Sequence, residues 1–373
     1  MRPEAVAAME PYLSGSFANP SGIHGAARHA KTALESAREV VASALGARPG
    51  EVVFTGGGTE ADNLAVEGAA RAAEGLDGVV MSAFEHKAVL AAGDRLATEG
   101  FRLARVGAHR DGLVDLEALE GALDEQTAVV SVMLVNNEVG TVQPLAAVAA
   151  LVRRRAPQAV LHTDAVQAVP WLDVDTAAAD AQLVAVSAHK FGGPKGVGAL
   201  VVRDGTRVQP LLEGGGQERG LRAGTVNVAG AVAMAAALST TVDRRSEEVR
   251  RTAALRDRLL GGLTTAVPDT FVNGDPTRKV GGNCHVGFRG LEAEALLVAL
   301  DRDEIYAAAG SSCSSGATEP SHVLAAMGVP RDEALASIRL SLGFASTDDD
   351  VDRALTVIPA LVERLREPVR VSR

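Results

Sequence analysis

Apolar residues at Ala33, Leu34, Ala37, Val40, Val41, Ala44 and Leu45 recur at three- and four-residue spacing, the period of one helix face. Directly after them, "EVVFTG" is a short β-branched run ending in glycine, the pattern of a buried strand entering a turn. Strand, turn and helix then repeat. Further apolar runs stand at "GVVMSA" (78–83), "TAVVSVMLV" (127–135), "AVLHTD" (159–164), "QLVAVSA" (182–188) and "GALVVR" (198–203), most of them separated by helix-patterned segments. Strands with no polar face, joined through helices, predict a largely parallel sheet covered on both sides. From about Val226 to Thr264 the pattern is mostly helical and encloses the charged cluster "DRRSEEVRR"; strands resume near "CHVGF" (284–288). The domain boundary is placed in that helix, near Arg244, with a large domain over 1–243 and a smaller one over 244–373. No internal repeat or low-complexity linker breaks the pattern.

Composition narrows the function classes. A chain of 373 residues exceeds the usual limit of a single core, which agrees with two domains. Its formal net charge of -10 offers no basic surface to a phosphate backbone, so direct nucleic-acid binding is not expected. "VAGAVAMAAAL" (228–238) is too short and alanine-rich to span a bilayer, and the opening "MRPEAVAAMEPYL" lacks the apolar centre of a secretion signal. The expectation is a cytoplasmic protein without membrane contact. Two cysteines, Cys284 and Cys313, suggest thiol chemistry or burial more than a disulfide framework, and with no Cys-x-x-Cys spacing no metal is expected.

Open α/β sheets bind ligands outside the carboxyl ends of their strands, and four such ends carry polar residues. "VVFTGGGTEADN" closes a strand with Gly56, Gly57, Gly58 and Thr59 and opens a helix, a geometry whose N–H groups and dipole favour a phosphate. It also satisfies Gly-x-Gly-x-x-Gly/Ala through Gly56, Gly58 and Ala61, with Asp77 where a ribose-binding acid could stand; the bland alternative is a turn with Thr59 as helix cap. "HTDAVQAV" places Asp164 and Gln167 after an apolar run, where a carboxylate needs a cationic or N–H partner unless it is a helix cap. "SAFEHKAVL" sets His86 at a strand-to-helix turn, where a structural histidine is the plain alternative. "VSAHKFGGPKGVG" ends a strand with Ser187, His189 and Lys190; a lysine in a dry strand-end site loses solvation and becomes a nucleophilic amine. Together these parts suit pyridoxal 5'-phosphate: an amine for the Schiff base, a buried aspartate for the pyridinium nitrogen, a glycine and hydroxyl turn for the phosphate, and a histidine over the ring.

The ordered series "NPSGIHGAARHAK", "TGGGTEADNLAV", "EHKAVL", "VNNEVGTVQPL", "HTDAVQAV", "SAHKFGGPKGVGAL", "GGGQERGLRAGTVN", "GSSCSSGATEPSHVL" and "IRLSLG" resembles the cysteine desulfurases of the NifS/IscS type, from about Asn19 to the C-terminal helix. The resemblance implies α/β architecture of the fold-type I pyridoxal phosphate enzymes, with a mainly parallel seven-stranded sheet in the large domain and a smaller α+β C-terminal domain. It implies that Lys190 holds the cofactor, that Ser187, His189, Gly58 and Thr59 bind its phosphate, and that Asp164 and Gln167 pair with the ring nitrogen and phenolic oxygen. His86 stacks on the ring and moves protons, while Asn137 and Arg339 hold L-cysteine, the arginine by a bidentate grip on its carboxylate. Thr225 of "RAGTVN" reaches the phosphate of a neighbouring subunit, which implies a homodimer.

Cys313 stands in a run of glycine and small hydroxyl residues that cannot pack a core and lets a sulfur travel. By the same resemblance it is the nucleophile that takes sulfur from L-cysteine as a persulfide, leaves L-alanine, and hands the sulfur to an acceptor protein, a cluster scaffold or a thiolation enzyme. Cys284, inside the strand-like "NCHVGF", reads as a buried small hydrophobe. Members of the family usually carry a strand and turn like "YLDNAATTPV" before the matched segment, whereas this chain opens at "RPEAVAAMEPYL". Other readings stay open at this point: a selenocysteine lyase or class V aminotransferase of the same fold, or a catalytically weak scaffold lacking that turn. A dinucleotide dehydrogenase ranks last, because it uses neither Lys190 nor Cys313.

Overall fold

The computed structural model describes residues 1–309 and 319–367. Each β-branched run noted above contains a strand: β1 (Val52–Thr55), β2 (Gly78–Ser82), β4 (Thr127–Ser131), β5 (Val160–Asp164), β6 (Leu183–Ser187), β7 (Gly198–Val202) and β9 (Asn283–Phe288). Among the described residues there are four more, namely β3 (Arg102–Val106), β8 (Thr270–Val272), β10 (Ala308–Ala309) and β11 (Ser337–Ser341).

By its contacts the chain forms two units, the first comprising Met1–Val106, Leu116–Val135 and Gln143–Arg245. Its seven-stranded sheet has the order β1-β7-β6-β5-β4-β2-β3. Pairing is parallel from β6 through β5, β4 and β2 to β3, and only β7 runs against its two neighbours. Strands β1, β2, β4, β6 and β7 are buried at every residue, as sequences without a polar alternation require. The helices Gly58–Ala72 and Lys87–Thr98 lay Leu64, Val66, Val89 and Leu96 against Val53, Val79, Ala185 and Leu200 in one apolar cluster. Edge strand β3 differs: Arg102 and Arg105 are exposed and ion-paired to Asp77, Asp124 and Asp94, which charges an edge that would otherwise invite pairing.

The second unit comprises Gly107–Asp115, Asn136–Val142 and Ser246–Arg373. Its sheet, in the order β10-β11-β9-β8, is antiparallel throughout. Val286, Phe288 and Ile338 of that sheet pack on Leu259, Leu263, Leu296 and Ile358 from helices, an α+β core of its own.

Candidate active site

The loop after β1 is shaped by close backbone approaches. Gly57 has φ of 147°, a conformation that L side chains rarely adopt, and a Cβ on Gly198 would fall 2.7 Å from the Gly57 carbonyl carbon. At Gly58, the first residue of the helix Gly58–Ala72, a Cβ would fall 2.9 Å from Val166 Cγ2 and 3.3 Å from Ser187 Cβ. The helix cap is Gly57, with no side-chain hydrogen bond, so the alternative of Thr59 as cap does not hold. Thr59 instead lines a cavity of about 710 Å³ with Gly56, Gly57, Gly58, Ser187 and His189. Ser187 Oγ and His189 Nδ1 share a hydrogen bond of 2.9 Å. Backbone N–H groups at a helix start, two hydroxyls and an imidazole make an anion cradle. The dinucleotide alternative loses its acid, since Asp77 spends a carboxylate oxygen on Arg102 at 2.9 Å.

Asp164 closes β5 and is 4% exposed. Its Oδ1 accepts the Val166 N–H at 2.8 Å, a turn bond at a place where no helix follows, so the helix-cap alternative is not realised either. Burial pushes this carboxyl well above the ordinary carboxylate range and Asp62 adds to the shift; the Val166 N–H, His162 and Lys190 oppose it. Such a carboxyl is held neutral by burial and ionises when a protonated ring nitrogen supplies the opposing charge. Gln167, three residues on, is half-buried.

Lys190 corrects one expectation. The sequence predicts a dry strand-end amine, yet Lys190 is exposed, because the chain leaves the sheet after Ser187 through the single 3-10 turn Ala188–Lys190. It still lies near enough to Asp164 to favour that carboxylate's ionised form. His86 caps the helix Lys87–Thr98, its Nδ1 accepting the Ala88 N–H at 3.2 Å, which assigns the ring proton of the neutral form to Nε2. The structural role that is the plain alternative is thus present. Thr225 lies exposed in the loop before the helix Val228–Ala266.

In the second unit, Arg339 of β11 donates Nη1–H to the Asn137 carbonyl at 2.8 Å, while Arg339 Nε and Asn137 Oδ1 are buried without hydrogen-bond partners among the described residues. The guanidinium is therefore anchored at one corner. Cys284, on β9, is 1% exposed, and burial pushes its thiol up to about 11, which suits a core residue and not a nucleophile. Cys313 lies outside the described residues.

Sequence reasoning missed Asn63, Glu60 and Lys195, which line the same cavity. They stand inside the quoted runs "GGGTEADN" and "GGPKGVG", and their spacing from the glycines was the available signal. It also missed a buried acid cluster beneath the strand ends. Asp62 and His162 face each other there at 3.5 Å, and Glu85 accepts from Ser82 Oγ and the Met133 N–H at 2.8 and 2.7 Å.

The profile of the Aminotransferase class-V family matches residues 1–354. A cysteine desulfurase IscS of Clostridium botulinum (strain Hall) is 39% identical over 369 residues, covering 98% of this chain and 92% of that protein. The cysteine desulfurase IscS of Methanosarcina thermophila is 42% identical over 367 residues, 98% of this chain and 90% of the relative. Among solved structures, a NifS-like protein superposes with a TM-score of 0.91 at 34% identity, covering 98% of this chain and 97% of that one.

Proposed function

The chain belongs to the class-V aminotransferase family as a pyridoxal 5'-phosphate-dependent cysteine desulfurase, and from that premise we propose that Lys190 and Cys313 carry its reaction, from L-cysteine to L-alanine and an enzyme-bound persulfide. The observation that supports this most is the pairing, in one unit, of the Gly56–Thr59 cradle with a buried carboxyl at Asp164 beside an accessible lysine amine. Bound there, the cofactor supplies a sink for the electron pair released at the substrate's α-carbon.

The chain's residues divide the remaining work. Gly58, Thr59, Ser187 and His189 hold the phosphate; Asp164 keeps the ring nitrogen protonated, and Gln167 donates to the phenolic oxygen. Lys190 would hold the cofactor aldehyde through its amine, and that amine would serve as the base for the substrate's α-proton. His86 covers the ring and moves a proton through Nε2. Arg339 and Asn137 take the substrate carboxylate. With Nε buried and Nη1 donating to the Asn137 carbonyl, Nη2 and the second Nη1–H would make the grip. The Cys313 thiolate attacks the substrate sulfur; a sulfur–sulfur bond forms as the carbon–sulfur bond breaks, and the electron pair left on carbon is protonated to give alanine.

Thr225, in an exposed loop, reaches the cofactor phosphate held by a second copy, so the working unit is a homodimer in the cytoplasm. The persulfide sulfur passes to an acceptor protein, a scaffold for iron–sulfur clusters or a tRNA-thiolation enzyme. The test is a single turnover of cofactor-loaded protein with L-cysteine. One alanine and one persulfide per subunit are expected, Cys313→Ser should bind cofactor yet form no persulfide, and persulfide formation by that variant would refute the assignment.

A further inference from the structure

Of the side chains lining the 710 Å³ cavity, two are charged: Glu60 and Lys195. Glu60 is committed within the protein, with Oε2 accepting the Gly56 N–H at 2.7 Å and Oε1 accepting Arg222 Nε at 2.9 Å. Its carboxylate consumes one N–H of the cradle and faces the cavity with negative charge. His189 does not offset it: burial, then Lys190 and Lys195, hold that imidazole below its usual range, so it enters as a neutral hydrogen-bonding group. Lys195 makes no ion pair with any described carboxylate, in a chain whose surface charges are extensively paired. It sits in "GGPKGVG", where Gly196 at φ 76° turns the backbone toward β7. A phosphate dianion placed in this cavity would meet one carboxylate and one cation.

We infer that Lys195 supplies the positive charge that holds the cofactor phosphate, and that it makes the site select the phosphorylated aldehyde over unphosphorylated pyridoxal. The inference rests on the pyridoxal phosphate reading and adds a residue to it. A lysine ammonium acts on phosphate as a point charge, so its removal weakens the dianion and leaves the ring contacts alone.

The test uses full-length protein freed of cofactor, with binding of pyridoxal 5'-phosphate, pyridoxal and inorganic phosphate measured by equilibrium titration for wild type, Lys195→Met and Lys195→Arg. The methionine variant should lose on the order of tenfold or more in affinity for pyridoxal 5'-phosphate and inorganic phosphate. It should bind pyridoxal as wild type does, which also shows that the cavity is intact, and its phosphate binding should depend less on salt. The arginine variant should keep most of the affinity. Unchanged phosphate affinity in Lys195→Met, or an equal loss for both aldehydes, would overturn the inference while leaving the cofactor reading in place. A wild-type protein that binds neither aldehyde would overturn the cofactor reading, and this inference with it.

Discussion

Alanine at Gly58 tests the cradle by filling it. Gly58 begins a helix, so its backbone accepts the substitution, but the new methyl would sit 2.9 Å from Val166 Cγ2 and 3.3 Å from Ser187 Cβ. Carbon atoms in comfortable contact lie about 3.5–4.0 Å apart, so the first overlap is roughly 0.6 Å or more. Neither neighbour yields cheaply: Val166 is β-branched and stiff at χ1, and Ser187 ends a strand buried along its whole length. Overpacking of this kind costs about 1–3 kcal/mol. The glycine loop before it is the softest element, so the strain should emerge as displaced N–H groups and a cofactor affinity about 5- to 150-fold weaker. Titration of cofactor-free protein with pyridoxal 5'-phosphate, followed by absorbance, reads the change. Gly121→Ala is the control: it lies in the helix Leu116–Ala122 with nothing within 4 Å of the added Cβ, and should bind cofactor normally while gaining about 0.5–1 kcal/mol of stability. Equal cofactor affinity in the two variants would refute the steric reasoning.

Three further outcomes are expected. Burial raises the Asp62 carboxyl from an ordinary 3.8 to about 8, so between those values the folded protein holds a proton that the unfolded chain has released. Stability of the cofactor-free protein should therefore fall as pH rises through that window, by up to about 1.4 kcal/mol per pH unit for this one proton, and Asp62→Asn should flatten the slope in denaturant titrations. Cys284, buried with its thiol raised to about 11, should resist alkylation in native protein at neutral pH and react after unfolding, as peptide mapping will read. Arg339→Lys should raise KM for L-cysteine by about 10- to 100-fold, through loss of a charged hydrogen bond, and leave cofactor affinity unchanged, a split that kinetics and titration read separately.

Much of the fold was legible because buried parallel strands have a plain signature. Val52–Thr55, Leu183–Ser187 and Gly198–Val202 are continuous apolar runs, and burial on both faces is their physical cause. Strand β3 escaped because "RLARV" carries arginines at its first and fourth positions, without the period of two, at an exposed edge, and resembles a solvated segment. Strand β11 escaped because "SIRLS" is five residues whose burial is decided by pairing with β9, a contact far away in sequence. At the site, Gly58, Thr59, Ser187 and His189 were legible because strand ends and glycines fix where a phosphate can lie, and they do line one cavity. The acids Asp62 and Glu85 were not, since only the packed fold reveals that helix and loop carry them under Asp164. The exposure of Lys190 was equally hidden, because it depends on the chain leaving the sheet through a single 3-10 turn.

The covalent anchor can be located directly by reducing the cofactor-loaded protein with borohydride, which fixes the cofactor to its lysine, and mapping the labelled peptide. One modified lysine is expected, Lys190, in the peptide containing "SAHKFGG". A label on any other lysine, or no label on protein saturated with pyridoxal 5'-phosphate, would contradict it.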